Sequence, residues 1–156
     1  MPSRRDLIAM TSEEVRAYLL SQPRMIVVSN GVGGFPHPVP MNFTLDEEGR
    51  ILITTFARSQ KVVNLERDPR ASLLVESGEV YEELKSVILY AEAEILRDPE
   101  AVRAGHALMA AKAQTQVEQS DGKQAQVRAS LAKRVIIRFT PERVISWDHA
   151  KLGAFY

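Results

Sequence analysis

The stretch "TTFARSQKVVNLERDPR", residues 54–70, decides how the chain is read. Thr54, Thr55 and Phe56 read as the end of a β-strand. Ser59 then stands where a helix starts, and the helix is expected over about 60–67. Arg58 and Lys61 put two cations beside that start. The first backbone N–H groups of a helix are unpaired and carry the positive end of its dipole, so an anion is held readily there. Thr55 and Ser59 add hydroxyls. The set suits a phosphate. The plainer alternative is a capped helix with two solvated cations, since basic residues also stand near helix starts without a ligand.

Towards the N-terminus, "ILITTF" (51–56) is a strand entered through the turn "DEEGR". Before it, Pro36, Pro38 and Pro40 fall on alternate positions. Proline cannot donate to a strand ladder, so this piece is an extended edge that pairs normally only from "MNFTL" onward. "GVGG" (31–34) is a turn, and the β-branched run "RMIVVSN" (24–30) is a strand. Three successive strands with short turns predict an antiparallel meander. Thr11 and Glu14 have capping-box spacing, Val15, Tyr18 and Leu19 share a face, and Pro23 stops the pattern, which predicts a helix over 12–21.

Towards the C-terminus, "RASLLVE" (70–76) alternates Ala71, Leu73 and Val75 on one face. "VILYAEAEIL" (87–96) sets Glu92 and Glu94 opposite Ala91, Ala93 and Ile95. Asp98-Pro99-Glu100 starts a helix that is expected to reach about 118. The polar "EQSDGKQAQ" (118–126) reads as a loop and 127–132 as a short helix. "RVIIRFTPERVISW" (134–147) is two strands, or one bent about Thr140-Pro141. No regular βαβ alternation is present, which excludes a doubly wound sheet. The expectation is one mainly β domain over 1–156: a small antiparallel barrel with peripheral helices.

Composition narrows the function. An apolar fraction of 45% in 156 residues supplies a core without staples. Twenty basic side chains balance twenty acidic ones, which argues against a protein that coats nucleic acid. Without cysteine, disulfides, thiolate metal sites and cysteine nucleophiles are excluded. The N-terminus is too charged for a signal peptide and no apolar run has the length of a membrane span, so the expected location is the cytoplasm. His37, His106 and His149 lack metal-ligand spacing. "NGVGG" lacks the lysine of a P-loop, no serine sits in a nucleophile elbow, and Glu92 and Glu94 have the period of an exposed strand face. Trp147 is the only tryptophan, Lys151 follows four residues later, and His149 has only its neighbour Asp148 as a partner. No catalytic residue is assigned.

The sequence resembles the pyridoxamine 5′-phosphate oxidase-like, flavin-binding split β-barrel family. The likeness rests on "ITTFARSQKVVNLERDPRASLLVE" and "ERVISWDHAKLGAFY", with "HPVPMNFTLDEEGRILI" in support, and the order of elements agrees over nearly the full length. It implies a six-stranded antiparallel Greek-key barrel that forms a homodimer, with cofactor sites in clefts built from both chains. It implies that the strand at Ile53, Thr54, Thr55 and Phe56 lays its backbone along the isoalloxazine ring of FMN. It puts Arg58, Ser59 and Lys61 on the phosphate side, with Asn64 in addition. It puts Trp147 and Lys151 on a C-terminal segment that approaches the flavin from the partner chain. The chemistry implied is hydride transfer to or from a small conjugated organic substrate.

Two departures shape the expectation. The sequence ends at "GAFY" without the arginine-rich substrate motif of true pyridoxamine phosphate oxidases, so that substrate is not expected. Many short relatives use a deazaflavin coenzyme, which also presents a phosphate and carries a further acidic tail. Arg24, Lys133 and Arg134 are basic residues for such a tail, but they are scattered in sequence. The alternative function is a non-catalytic module that binds a flavin, haem or a related tetrapyrrole on the same barrel.

Overall fold

The computed structural model describes residues 1–113 and 129–153. Two N-terminal helices, α1 (Arg4–Ile8) and α2 (Ser12–Ser21), precede strands β1 (Arg24–Asn30), β2 (Pro36–Asn42), β3 (Thr44–Leu45) and β4 (Ile51–Phe56). Helix α3 (Gln60–Arg67) leads to β5 (Arg70–Ser77) and β6 (Lys85–Leu96). Helix α4 (Pro99–Ala113) and strand β7 (Arg134–Asp148) follow, and a 3-10 turn at His149–Leu152 ends the described chain. The sheet has seven strands in the order β2-β1-β5-β6-β7-β4-β3. All its pairings are antiparallel.

That order corrects the expected meander. β1 does pair with β2, but β2 and β3 stand at opposite ends of the sheet. Only Phe43 separates them in sequence, so the sheet must curl until its two edges nearly meet. Phe43 is 1% exposed, filling the seam it creates. The two-residue β3 also explains why seven strands appear where six are implied.

Alternation fills the interior. Met25, Val27 and Ser29 of β1, Ile51, Ile53 and Thr55 of β4, and Ala71, Leu73 and Val75 of β5 all point inward. Burying each large aliphatic side chain contributes about 1.5–3 kcal/mol. β4 departs from simple alternation because Leu52, on its outer face, is buried as well. It packs with Val102 of α4 and Ile136 of β7 in a second, smaller core. Gly105 makes that packing feasible: a Cβ there would lie 2.6 Å from the buried Ile136 Cδ1. Helix α4 therefore rests directly on the outside of the barrel.

The caps at Thr11 and Asp98 form as expected: Thr11 and Glu14 make a full capping box, and Asp98 accepts from the Ala101 amide. Strand β7 is one strand. Its pairing with β6 shifts register between Tyr90 and Ala91, opposite Pro141 and Arg143, so Glu142 is the extra residue of a bulge. Proline is tolerated at such an irregularity. Glu94 lies on the exposed face and pairs with Arg138 at 2.6 Å. Helix α1 and the 3-10 turns at Tyr81–Glu83 and His149–Leu152 have no counterpart in the expectation. A helical turn is present at 129–131 and residue 132 is already a turn; the loop at 118–126 and residues 127–128 lie outside the described residues.

Candidate functional site

The corner between β4 and α3 is built as its sequence suggests, with one exception. Ser59 has N-cap backbone angles (φ −66°, ψ 153°), and its carbonyl receives the amides of Val62 and Val63. Its side chain, however, makes no capping bond. Thr55 Oγ1 donates to Ser59 Oγ at 3.3 Å and accepts from Lys61 Nζ at 2.9 Å. The three side chains form a line, Lys61 to Thr55 to Ser59, across the mouth of the corner.

The two cations of the corner then diverge. Arg58 is exposed and makes no ion pair among the described residues. Lys61 is 9% exposed, its pKa is lowered by burial, and among the described residues its ammonium bonds only a neutral hydroxyl. A buried charge without a counter-charge is costly, and an anion at the corner removes that cost. The solvated-cation alternative therefore fails for Lys61. Asn64 is fully buried, with its amide committed: Nδ2 donates to Ser29 Oγ at 3.1 Å, and Oδ1 accepts from Gln60 Nε2 at 2.8 Å. Asn64 ties α3 to β1. The neighbouring Asp68 bonds Arg70 and Asn30, which hold its carboxyl far below the usual range.

Along β4 the expected residues separate by face. Ile53 is wholly buried in the barrel, so only its backbone is available. Thr55 points inward to Lys61, and Thr54 points outward. Phe56 is half exposed, with the Arg134 guanidinium 4.3 Å from its ring centroid. Trp147 and Lys151 do not join this group. Arg134 pairs with Phe56 at one end of β7, and Trp147 lies near the other. At ~3.3 Å per residue the strand separates them by roughly 40 Å. Lys151 Nζ is occupied by Glu14 Oε2 at 2.6 Å and the Ala9 carbonyl at 2.8 Å. His149 Nδ1–H donates to the Tyr81 carbonyl at 2.7 Å, and not to Asp148.

Two clefts lie on the outer face of β4, beneath α4. One of about 680 Å³ is lined by Arg24, Met41, Thr54, His106 and Arg134 among others. A second, of about 500 Å³, shares Thr54 and His106 and reaches Lys112. Arg24 and Arg134, scattered in sequence, thus line one wall system. Thr54 Oγ1 and His106 Nδ1 are buried and have no hydrogen-bond partner among the described residues. Sequence reasoning treated His106 as isolated, because its neighbours arrive only when α4 docks on the barrel.

A family model described as pyridoxamine 5′-phosphate oxidase matches residues 11–148. The chain belongs to that family. A conserved hypothetical protein of Mycobacterium tuberculosis has the same fold, with a TM-score of 0.87 and 33% identity, over 99% of this chain and 95% of that one. An F420 reductase matches with a TM-score of 0.61 at 21% identity, over 81% of this chain and 92% of its own. The haem storage protein HutZ of Vibrio cholerae matches with a TM-score of 0.65 at 18% identity, over 86% and 94%. At those two identities the likeness is one of fold. No curated protein matches the chain. Among the described residues no helix is long and apolar enough to cross a membrane.

Within this pyridoxamine 5′-phosphate oxidase family the corner fits a phosphate on the chain's own geometry. Two neutral hydroxyls, one buried ammonium and one exposed guanidinium surround a helix start that has no acidic residue in its first turn.

Proposed function

We propose that the protein is a flavin-dependent oxidoreductase that holds FMN by its phosphate at the β4–α3 corner. The observation that carries this is Lys61: a nearly buried ammonium whose only bond among the described residues is to the Thr55 hydroxyl. Lys61, Ser59 and the start of α3 bind the phosphate, and Arg58 reaches it from solvent. The strand Ile53–Phe56 offers its backbone to the ring. The flavin, when bound, supplies hydride transfer; the protein binds it, orients it and excludes water. A deazaflavin coenzyme such as F420 presents the same phosphate and is the alternative cofactor.

Two chains complete the site. Ile26, Leu74, Ile88 and Ile145 stand opposite one another across β1, β5, β6 and β7, all only partly buried. Tyr90, 40% exposed, lies beside them. Such a stripe suits a self-complementary homodimer contact. It lies at the end of β7 that carries Trp147, so association brings Trp147 to the interface. In a Leu74→Asp variant, sedimentation should show monomers with weakened FMN binding.

The test of function is titration of the purified protein with FMN and with F420, followed by visible spectroscopy and turnover with small quinones. Binding of one cofactor in the micromolar range or tighter, with turnover, is expected. A folded dimer that binds neither removes the proposal. The unpaired His106 Nδ1 in an apolar cleft favours one other function, a haem- or tetrapyrrole-binding module. Haemin should then give a Soret shift that His106→Ala abolishes.

A further inference from the structure

The clefts beneath α4 have three properties that the phosphate corner does not explain. The first is a pair of orphaned polar atoms. Thr54 Oγ1 and His106 Nδ1 are buried without a partner, and both residues line both clefts. Buried polar groups in native proteins are nearly always paired, so two orphans facing one space point to a ligand that pairs them.

The second is charge. Among the described residues neither cleft is lined by an aspartate or a glutamate, while Arg24, Arg134 and Lys112 all contribute. In a chain with equal numbers of acidic and basic side chains, that lining is not an average piece of surface. Lys112 is fully engaged by three backbone carbonyls. The arginines are not engaged in this way. Neither makes an ion pair among the described residues, and Arg134 spends only Nε, on Ser130 Oγ at 3.3 Å. The third is the remaining wall, where Met41, Met109 and Leu131 present apolar surface.

We infer that the cleft beneath α4 seats an apolar organic carboxylate, whose oxygens accept from Arg24, Arg134, the Thr54 hydroxyl and the His106 Nδ1–H, while its apolar body lies against Met41, Met109 and Leu131. This gives the second reactant of the proposed oxidoreductase its chemical class. Its standing as reactant rests on that function; the binding site does not. A carboxylate could arrive on a free aromatic acid or on the acidic tail of a deazaflavin. The apolar wall favours the former, because a flexible acidic tail leaves it unused.

The test uses the full-length protein free of cofactor and three probes: 2-naphthoate, its neutral isostere 2-naphthamide, and tri-γ-glutamate. With only three histidines, imidazole resonances report the site directly. 2-Naphthoate should bind and shift His106 while leaving His149 unmoved. 2-Naphthamide should bind about tenfold or more weakly, and Arg24→Gln or Arg134→Gln should close that gap. Thr54→Val should weaken naphthoate binding yet raise the Tm of the free protein, because the isosteric methyl removes an unpaired hydroxyl. A purely structural Thr54 would lower the Tm instead. Absence of naphthoate binding, equal binding of acid and amide, or binding of tri-γ-glutamate alone would each overturn the inference. FMN titration is read separately. Naphthoate binding without FMN binding keeps the site and removes the flavin, whereas the reverse removes this site alone.

Discussion

Lys61 and Lys112 are both lysines withdrawn from water, and burial lowers the pKa of each. Their surroundings differ in kind. Lys112 Nζ donates to the carbonyls of Leu19, Gln22 and Phe43, at 3.1, 2.7 and 2.9 Å, and sits 3.4 Å from the Phe43 ring centroid. Every N–H has an acceptor, and the acceptors include the C-terminal carbonyls of α2, where a cation is favoured. Lys61 has one acceptor, a hydroxyl, on a helix start where a cation is disfavoured. The first arrangement is complete within one chain. The second lacks its counter-charge. Burial alone therefore does not mark a functional lysine; unused N–H groups and a missing anion do.

Substitution at the two positions should separate them. Lys61→Met should weaken FMN binding by about 10–150-fold, equivalent to ~1.5–3 kcal/mol for one charge-assisted contact. The cofactor-free protein should keep or gain stability in urea, because an uncompensated charge is removed. Lys112→Met should do the opposite. It should lower stability by about 1–3 kcal/mol through lost carbonyl bonds and leave FMN affinity unchanged by calorimetry. Equal effects from both variants would dissolve the distinction.

Smaller effects sharpen it. Arg58→Ala should cost FMN binding only about two- to fivefold, since an exposed cation near a helix start contributes ~0.3–1 kcal/mol. The pH dependence is subtler. Lys112 is pushed down to about 8 in the folded protein, from an ordinary 10.5. Between those values the unfolded chain binds more protons. The stability of wild type relative to Lys112→Met should therefore rise with pH across that window, as pH-dependent urea unfolding would show. Lys61 is also lowered, but a bound phosphate favours its charged form. FMN affinity should therefore fall as pH climbs towards 10.5, and FMN binding to Lys61→Met should not follow that trend.

Much of this was legible where the signal is local. The alternation of Ala71, Leu73 and Val75, the capping box at Thr11 and the helix start after Ser59 each depend on residues a few positions apart. The placement of Thr55 six residues before Lys61 already put both on one corner. What stayed hidden depends on closure of the barrel. β2 and β3 look like meander neighbours until the single-residue link at Phe43 forces them to opposite edges. His106 acquires Thr54, Arg24 and Arg134 as neighbours only because Gly105 lets α4 lie on Ile136. Asn64 looked like a ligand donor by position. Its commitment to Ser29, an inward-facing serine on a different strand, is a tertiary fact. Trp147 and Lys151 lie far from Phe56 within one chain because β7 runs as one long strand, not as two folded back.

The central claim is that Lys61 waits for a phosphate. Its most direct test is a double-mutant cycle by calorimetry, with FMN and riboflavin titrated into wild type and Lys61→Met. FMN should bind wild type at least about tenfold more tightly than riboflavin, and the gap should nearly vanish in the variant. Equal affinity of FMN and riboflavin for wild type, or a gap that survives in Lys61→Met, would contradict it.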